Sequence, residues 1–137
     1  MDVSEIMTRK IFTIGMDDDI RRVKGLFEMH GFHHLLVVED RMLVGVISDR
    51  DLLRNMSPFV DKIVERTQDL ATLNRRVHQI MSRKPITIGP EDSVEEAAKV
   101  MLAHRVSCLP VVTDDGHPVG IVTWRDLLRG LSGVTDG

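Results

Sequence analysis

Hydrophobic and polar positions along the chain repeat in the same order in its two halves. Short apolar segments at residues 12–14 and 86–88, each followed by glycine, predict strands. Behind each segment, apolar residues recur at helical spacing; they are Ile20, Val23, Leu26 and Phe27, then Val94, Ala97, Ala98, Met101 and Leu102. A Ser93…Glu96 pair at capping-box spacing precedes the second of these helices. Each half therefore predicts a strand followed by an amphipathic helix.

Two further apolar runs in each half predict a β-hairpin. In the first half the runs are separated by the polar pair Glu39-Asp40, and in the second by residues 113–116, which end in glycine. A last helix follows each hairpin, at residues 49–55 and 124–131. Between the halves, helical character at residues 69–80 predicts a helix that runs directly into the second half.

The junction between the last strand and the last helix has one nine-residue pattern in both halves, GVISDRDLL and GIVTWRDLL. In each copy a hydroxyl residue ends the apolar run and an aspartate stands three positions later; these residues are Ser48 and Asp51, then Thr123 and Asp126. A hydroxyl at the N-cap with Asp at the third helical position is a capping box. A helix N-terminus also suits an anion such as phosphate. The pattern thus fits a plain helix start or the floor of a nucleotide site.

The match between the halves runs from the first residues to the last helix. Residues 3–10 correspond to residues 77–84, and one residue is inserted in the second copy near Asp115. A period this long indicates one supersecondary unit used twice, and the two copies must pack together to bury their apolar faces. The predicted fold class is α+β (α/β), with tandem β-α-β-β-α repeats. We expect repeat 1 at residues 1–56, a partly helical connector at 57–76, repeat 2 at 77–131 and a flexible tail at 132–137.

Composition excludes several classes of function. The formal net charge of the 137 residues is −3 and the basic residues are spread along the chain, which argues against a nucleic-acid-binding face. The longest apolar runs have the length of strands, so no transmembrane helix is expected, and the N-terminal residues lack the pattern of a signal peptide. The single cysteine, Cys108, allows no disulfide within the chain, which fits a reducing cytosol. We therefore expect a cytoplasmic protein without nucleic-acid or membrane partners.

Two units that each end in Gly-apolar-apolar-Ser/Thr-x-x-Asp-Leu resemble a CBS domain pair, also called a Bateman module. The likeness covers residues 3–131, and residues 87–97 and 104–112 follow the family pattern almost letter for letter. The resemblance implies a pseudo-twofold pair packed through its sheets, with two clefts between the repeats. Members of the family commonly bind adenosyl ligands there, namely AMP, ADP, ATP, S-adenosylmethionine or a dinucleotide.

The resemblance also implies roles for individual residues. The aspartates of the repeated motif, Asp51 and Asp126, would hold the ribose hydroxyls, and Ser48 and Thr123 would contact ribose or phosphate. The residues that would frame the base and the phosphates are Thr13, Phe32 and His33 in repeat 1 and Thr87, Val106 and Ser107 in repeat 2. The chemistry of the residues agrees, because a carboxylate can accept from both vicinal hydroxyls of a ribose.

Basic side chains next to the motif suit a phosphate group. Arg50 and Arg125 could each add a charge-assisted hydrogen bond to phosphate. His33 and His34 stand where a basic pair contacts phosphate in some adenylate-sensing members of the family. If they do so here, binding should weaken as the pH rises through the histidine range near 6.5.

Two departures from the family pattern make the repeats unequal. Repeat 1 has Leu36 where repeat 2 has Pro110, and a proline removes an N–H and restricts the strand entry. Repeat 2 has Trp124 where repeat 1 has Asp49. We therefore expect one good site and one that is weaker or differently selective.

Each candidate residue also has a structural interpretation. The two motif aspartates fit capping alone, and the histidines at positions 30, 33 and 34 fit polar surface better than a metal site. Cys108 has no adjacent base and fits the core better than a nucleophile. No nucleophile–base pair or phosphate-binding glycine loop is visible, so we expect no enzyme.

The leading hypothesis is a regulatory module that binds an adenine nucleotide or S-adenosylmethionine and has no obligatory cofactor. Ligand binding would change its conformation or association, and a homodimer and a separate effector protein are the expected partners. The alternative is a ligand-independent dimerisation or scaffold module whose clefts are degenerate.

Overall fold

The computed structural model describes residues 1–55 and 71–133. The elements in these residues are α1 (Val3–Ile6), β1 (Thr13–Ile14), α2 (Ile20–His30), β2 (His34–Glu39), β3 (Met42–Ser48), α3 (Asp49–Asn55), α4 (Val77–Ile80), β4 (Ser82–Arg83), α5 (Val94–His104), β5 (Cys108–Val112), β6 (Pro118–Thr123) and α6 (Trp124–Ser132). The mixed α and β content and the repeated order of elements confirm the predicted fold class.

These residues form two compact units. Each unit contains the leading segment of the other repeat, namely residues 1–11 for repeat 1 and residues 77–84 for repeat 2. Unit 1 contains Met1–Ile11 and Arg41–Leu43 together with the described residues from Pro85 onward. Unit 2 contains Phe12–Asp40 and the described part of Val44–Lys84. The start of repeat 1 therefore belongs to the same unit as most of repeat 2, and the start of repeat 2 belongs with repeat 1. The compact units thus do not follow the boundaries of the repeated sequence.

Unit 2 is built around a sheet of order β1-β2-β3-β4. Strand β1 is parallel to β2, with Thr13 opposite Leu36, and β3 is antiparallel to β4, with Gly45 opposite Arg83. Helix α2 begins at the N-cap Asp19, whose side chain accepts from the Arg22 N–H at 3.0 Å. The periodic apolar face of α2 is buried against the sheet; its buried residues are Ile20, Val23 and Phe27.

Unit 1 has the antiparallel hairpin β5–β6, with Pro110 opposite Ile121. Thr8 of the leading segment pairs with Ile121 as an isolated bridge. Ser93 is the N-cap of helix α5, and its Oγ accepts from the Glu96 N–H at 3.0 Å. This is one of the two bonds of the predicted capping box; within the described residues, the Glu96 side chain does not complete the box. The core joins this helix to the hairpin, and includes Val94, Ala97, Met101, Leu109, Val122 and Leu127.

Four local predictions need correction. Residues 86–88 form no strand, and only Ile88 pairs, in an isolated bridge with Val111. The first hairpin turns at Asp40 and Arg41, both with positive φ, and not at Glu39-Asp40, because Glu39 still belongs to β2. Leu102 is 65% exposed and contributes to no core.

The fourth correction concerns the helix predicted at residues 69–80. Residues 71–73 are helical, but a turn follows and a new helix, α4, begins after the N-cap Arg76. Residues 69 and 70 and most of the connector lie outside the described residues. The tail predicted from residue 132 lies mostly outside them as well, and Ser132 itself is the last residue of α6.

Candidate functional site

In unit 2 the repeated motif forms a capping box at the junction of β3 and α3. The Oδ2 atom of Asp51 accepts from the backbone N of Ser48 at 2.8 Å and from its Oγ at 3.0 Å. The Ser48 Oγ in turn accepts from the Asp51 N–H at 3.2 Å. Among the described residues, the Oδ1 atom of Asp51 has no hydrogen-bond partner. Within residues 1–55 and 71–133, the half-buried carboxylate therefore caps the helix with one oxygen, and its other oxygen accepts no hydrogen bond.

In unit 1 the equivalent junction of β6 and α6 carries the same box with two additional donors. The Oδ2 atom of Asp126 accepts from Thr123 N at 2.9 Å and from Thr123 Oγ1 at 3.2 Å. Thr8 Oγ1 lies 3.1 Å from Oδ1 of the same carboxylate, and the Arg129 guanidinium forms an ion pair with Oδ1. Asp126 is 2% exposed, and both of its carboxylate oxygens are occupied by protein donors.

Sequence reasoning selected both aspartates and missed the two residues that make them different. Thr8 precedes Asp126 by 118 positions, so only the fold brings the two together. The sequence signal that could have pointed to Thr8 is its position in the repeat, because Thr8 follows Met7 as Ser82 follows Met81. Arg129 stands one helical turn after Asp126 and could have been found from that spacing.

His33 and Asp49 form a polar pair beside the unit 2 junction. The Asp49 N–H donates to the His33 carbonyl at 3.0 Å, and Nδ1 of His33 lies 2.8 Å from Oδ2 of Asp49. In unit 1 the matching backbone bond joins the Trp124 N–H to the Ser107 carbonyl at 3.3 Å. The exchange of Asp49 for Trp124 thus gives one junction a histidine–carboxylate hydrogen bond and the other an indole that is 40% exposed.

His34 and Cys108 occupy equivalent positions at the start of β2 and of β5. Burial lowers the pKa of His34 below 6.5, and the nearby carboxylate of Asp49 opposes part of that effect. Burial, with the charge of Asp126, raises the pKa of the Cys108 thiol to about 12. A thiol with this pKa carries almost no thiolate at neutral pH, which argues against a nucleophile. Cys108 is only half-buried, however, and does not belong to the buried core of the described residues of unit 1, so its prediction as a core residue is corrected.

Aromatic rings stack beside the junction of unit 2. The ring centroid of Phe12 lies 4.5 Å from that of Phe32, at 16° between planes, and 4.5 Å from that of His30. Phe27 meets Phe32 edge-on at 5.7 Å. Sequence reasoning selected Phe32 alone. The corresponding residues of unit 1 are aliphatic at two of these positions, where Ile86 and Val106 pack against its core.

The remaining predicted site residues lie mostly on the surface. Thr13 is exposed on β1, and Thr87 and Ser107 are exposed in unit 1. Arg50 and Arg125 are both exposed in the first turn of their helices. Among residues 1–55 and 71–133, no hydrogen bond joins Arg50 to the Ser48–Asp51 pair. In the same part of the chain, no three His, Cys, Asp or Glu side chains are grouped as metal ligands.

Comparison with known proteins assigns the family. The model of the CBS domain matches residues 3–58 and again residues 77–133. The chain belongs to the CBS domain family. A CBS domain-containing protein of Dictyostelium discoideum is 37% identical over 136 residues, a match that covers 98% of this chain and 93% of that relative. Other relatives are longer; the chain spans 22% of the inosine-5′-monophosphate dehydrogenase of Korarchaeum cryptofilum, at 32% identity.

Solved structures of CBS pairs have the same fold. CBSX2 in complex with AMP is 26% identical, with a TM-score of 0.80 and 97% of both chains covered. The CBS domain pair of protein MJ0100, in complex with 5′-methylthioadenosine and S-adenosyl-L-methionine, is 26% identical, with a TM-score of 0.78 and 98% of both chains covered. None of the described helices of the present chain has the length and apolar character needed to cross a membrane.

Proposed function

We propose that this CBS domain pair is a non-catalytic regulatory module that binds an adenosyl ligand through the Ser48–Asp51 junction of unit 2. The observation that carries the proposal is the Asp51 carboxylate, which is half-buried, oriented by Ser48 and still able to accept through Oδ1. Such an oriented acceptor suits the vicinal hydroxyls of a ribose. Capping supplies the orientation, so the structural and the ligand-binding interpretations of Asp51 are compatible.

The surroundings of Asp51 supply groups for the rest of the ligand. The stacked rings of Phe12 and Phe32 offer a flat apolar edge suited to adenine. Phe32 adjoins His33, whose carbonyl is bonded to the first residue of α3, so the rings and the capping box lie along one connected segment. Arg50 and the histidines at positions 33 and 34 are the groups that would contact phosphate.

Relatives of this chain support an adenosyl ligand as the class. CBSX2 binds AMP, and the MJ0100 pair binds 5′-methylthioadenosine and S-adenosyl-L-methionine. We extend this class to the present chain, with AMP, ADP, ATP and S-adenosylmethionine as candidates and no obligatory cofactor. Binding would favour one conformation or state of association over another, which requires different affinities for the two. We place this activity in the cytoplasm, with a homodimer and an effector protein as recipients of the signal.

Thermal unfolding in the presence of each candidate ligand tests the proposal. A ligand at about a hundred times its dissociation constant should stabilise the fold by roughly 2.7 kcal/mol, which is a shift of several degrees in Tm. The shift should disappear in Asp51→Asn, which keeps the shape of the side chain and an oxygen for the cap. Asp115→Ala, at an exposed turn, is the control and should retain it. The absence of a shift from every ligand would contradict the proposal.

The exposed face of α6 favours a second candidate, a scaffold that associates without ligand. Trp124, Leu128 and Leu131 recur at helical spacing and are 40%, 63% and 62% exposed. Apolar stripes of this kind often form contacts between chains. Sedimentation velocity with and without ligand separates the two functions. A dimer that Leu128→Glu dissociates, and that no ligand alters, would support the scaffold.

A further inference from the structure

We infer that the bonds from Thr8 and Arg129 to Asp126 block ligand binding at the β6–α6 junction of unit 1 (the closed junction). While these bonds are intact, the chain binds one adenosyl ligand, at Asp51 of the β3–α3 junction (the open junction). The inference rests on the proposed function, because it concerns how many of the two motif aspartates accept a ligand. It makes Thr8 and Arg129 the residues that determine occupancy. Neither belongs to the repeated nine-residue pattern.

The donors around Asp126 leave no place for a ribose. A carboxylate that binds two vicinal hydroxyls needs lone pairs that do not already accept hydrogen bonds from the protein. At Asp126, Thr8 Oγ1 lies within hydrogen-bond distance of both oxygens, at 3.1 Å from Oδ1 and 3.3 Å from Oδ2, and the Arg129 guanidinium forms an ion pair with Oδ1. Thr123 also donates to Oδ2 through its N–H and its hydroxyl. The side chain of Asp126 is 3% exposed, so a ligand must displace a donor before it can reach the carboxylate.

The other half of the chain has the same residue types in the open arrangement. Ser82 corresponds to Thr8, and Arg54 corresponds to Arg129. The backbone is alike, since Ser82 pairs with Val46 as Thr8 pairs with Ile121. Yet Ser82 and Arg54 are exposed, and within the described residues neither forms a hydrogen bond or an ion pair with Asp51. The two junctions therefore have a hydroxyl residue and an arginine at equivalent positions, but these residues bond to the motif aspartate only in unit 1.

The contacts at Asp126 are of a kind that a neutral hydroxyl replaces poorly. The Arg129 bond is charge-assisted, and such bonds are about twice as strong as those between neutral groups. A ribose at Asp126 would have to compete with this guanidinium and with the hydroxyl of Thr8. Loss of either donor frees an acceptor position without removing the carboxylate or its cap.

Calorimetric titration of the full chain with AMP, and in parallel with S-adenosylmethionine, tests the inference through stoichiometry. Wild type should bind one ligand per chain, and Thr8→Val and Arg129→Gln should each bind two. Ser82→Ala and Arg54→Gln are the matched controls at the open junction and should stay at one, as should Thr8→Ser, which retains the hydroxyl. In Thr8→Val, a second change of Asp126→Asn should return the stoichiometry to one and locate the new site.

The outcomes distinguish the two proposals. Two ligands on wild type, or one ligand on Thr8→Val and Arg129→Gln alike, would overturn the inference and leave the proposed function intact. No ligand on wild type but one on Thr8→Val would support the closure and remove Asp51 as a site. No ligand on any folded variant would overturn both. Far-UV circular dichroism checks folding; if Arg129→Gln does not fold, Thr8→Val decides, because it removes a single hydroxyl.

Discussion

The Sδ atom of Met7 lies 2.7 Å from the place where a Cβ would stand on Gly120, and the carbonyl oxygen of Thr8 lies 3.0 Å from it. Gly45 has the same relation to Met81 and Ser82, at 2.8 and 2.9 Å. Both glycines open the repeated nine-residue pattern. In each unit the leading segment of one repeat thus packs onto the glycine of the other, at a distance that only a residue without a side chain permits.

Substitution of Gly120 by alanine should therefore destabilise unit 1. The Met7 side chain can move, but the Thr8 carbonyl is backbone and is fixed by its pairing with Ile121. We expect a loss of about 1–3 kcal/mol in the free energy of unfolding, the range for overpacking, measured by urea denaturation. Gly25→Ala is the control, because a Cβ there meets nothing within 4 Å. In the interior of α2 it should stabilise by about 0.5–1 kcal/mol; equal effects at the two sites would contradict the packing argument.

His34 should make the stability of the fold depend on pH. Burial lowers its pKa below the ordinary 6.5, although Asp49 and Asp51 raise it in part, while His33 and Arg50 lower it further. The unfolded chain then binds this proton more readily than the folded chain. The contribution is fully present above pH 6.5 and is lost as the pH falls from 6.5 through the pKa of the folded state.

The measurement is the free energy of unfolding of wild type and His34→Gln between pH 5 and pH 8, by urea denaturation (the range brackets the ordinary pKa). The variant should lose part of the decline below pH 6.5. His117→Gln removes an exposed histidine and should leave the decline as in wild type. A decline of the same size in both variants would assign it to other groups.

The N-caps of the helices and the apolar periodicity could be predicted from sequence because they depend on neighbouring residues. Ser93 and Glu96, or Ser48 and Asp51, are three positions apart, and their bonds form within one turn of helix. The exchange of leading segments could not be predicted, because it depends on which surface Met7 meets more than a hundred residues later. The closure of Asp126 by Thr8 depends on the same exchange. The sequence therefore predicted two unequal sites, from Leu36 and Trp124, but it did not predict that Thr8 and Arg129 bond to Asp126.

The hairpin turn shows a smaller failure with a local cause. Asp40 and Arg41 adopt φ of 51° and 67°; a two-residue turn of this kind favours Asn, Asp or Gly at the first position and Gly at the second. Nothing in the residue type of Arg41 marks it as a turn residue, so the polar pair before it was selected instead. In the second hairpin Gly116, at φ of 85°, provides the expected signal and the prediction was correct.

The thiol of Cys108 should be unreactive in the folded protein. Its pKa is raised to about 12, chiefly by burial, so the nucleophilic thiolate is scarce at neutral pH. We expect slow reaction with a disulfide reagent at pH 8 under native conditions and fast reaction in guanidinium chloride. Because the chain has a single cysteine, the rate reports this site alone. Rapid reaction of the native protein would indicate that the start of β5 opens readily.

The two motif aspartates should differ in their importance for stability. Asp126→Ala removes a buried carboxylate that is bonded to Thr8, Thr123 and Arg129, and it leaves a guanidinium that is only 29% exposed without this partner. Breaking such a pair costs about 3 kcal/mol or more. In the part of the chain that the structure describes, the side chain of Asp51 bonds only to Ser48, so Asp51→Ala removes a helix cap, and caps contribute about 1 kcal/mol. Urea denaturation of both variants measures the difference.

The ranking of the two variants should be reversed for ligand binding, where Asp51→Ala abolishes the Tm shift of the wild type. If Asp51→Ala proves the more destabilising change, the closed and open junctions have been assigned to the wrong repeats.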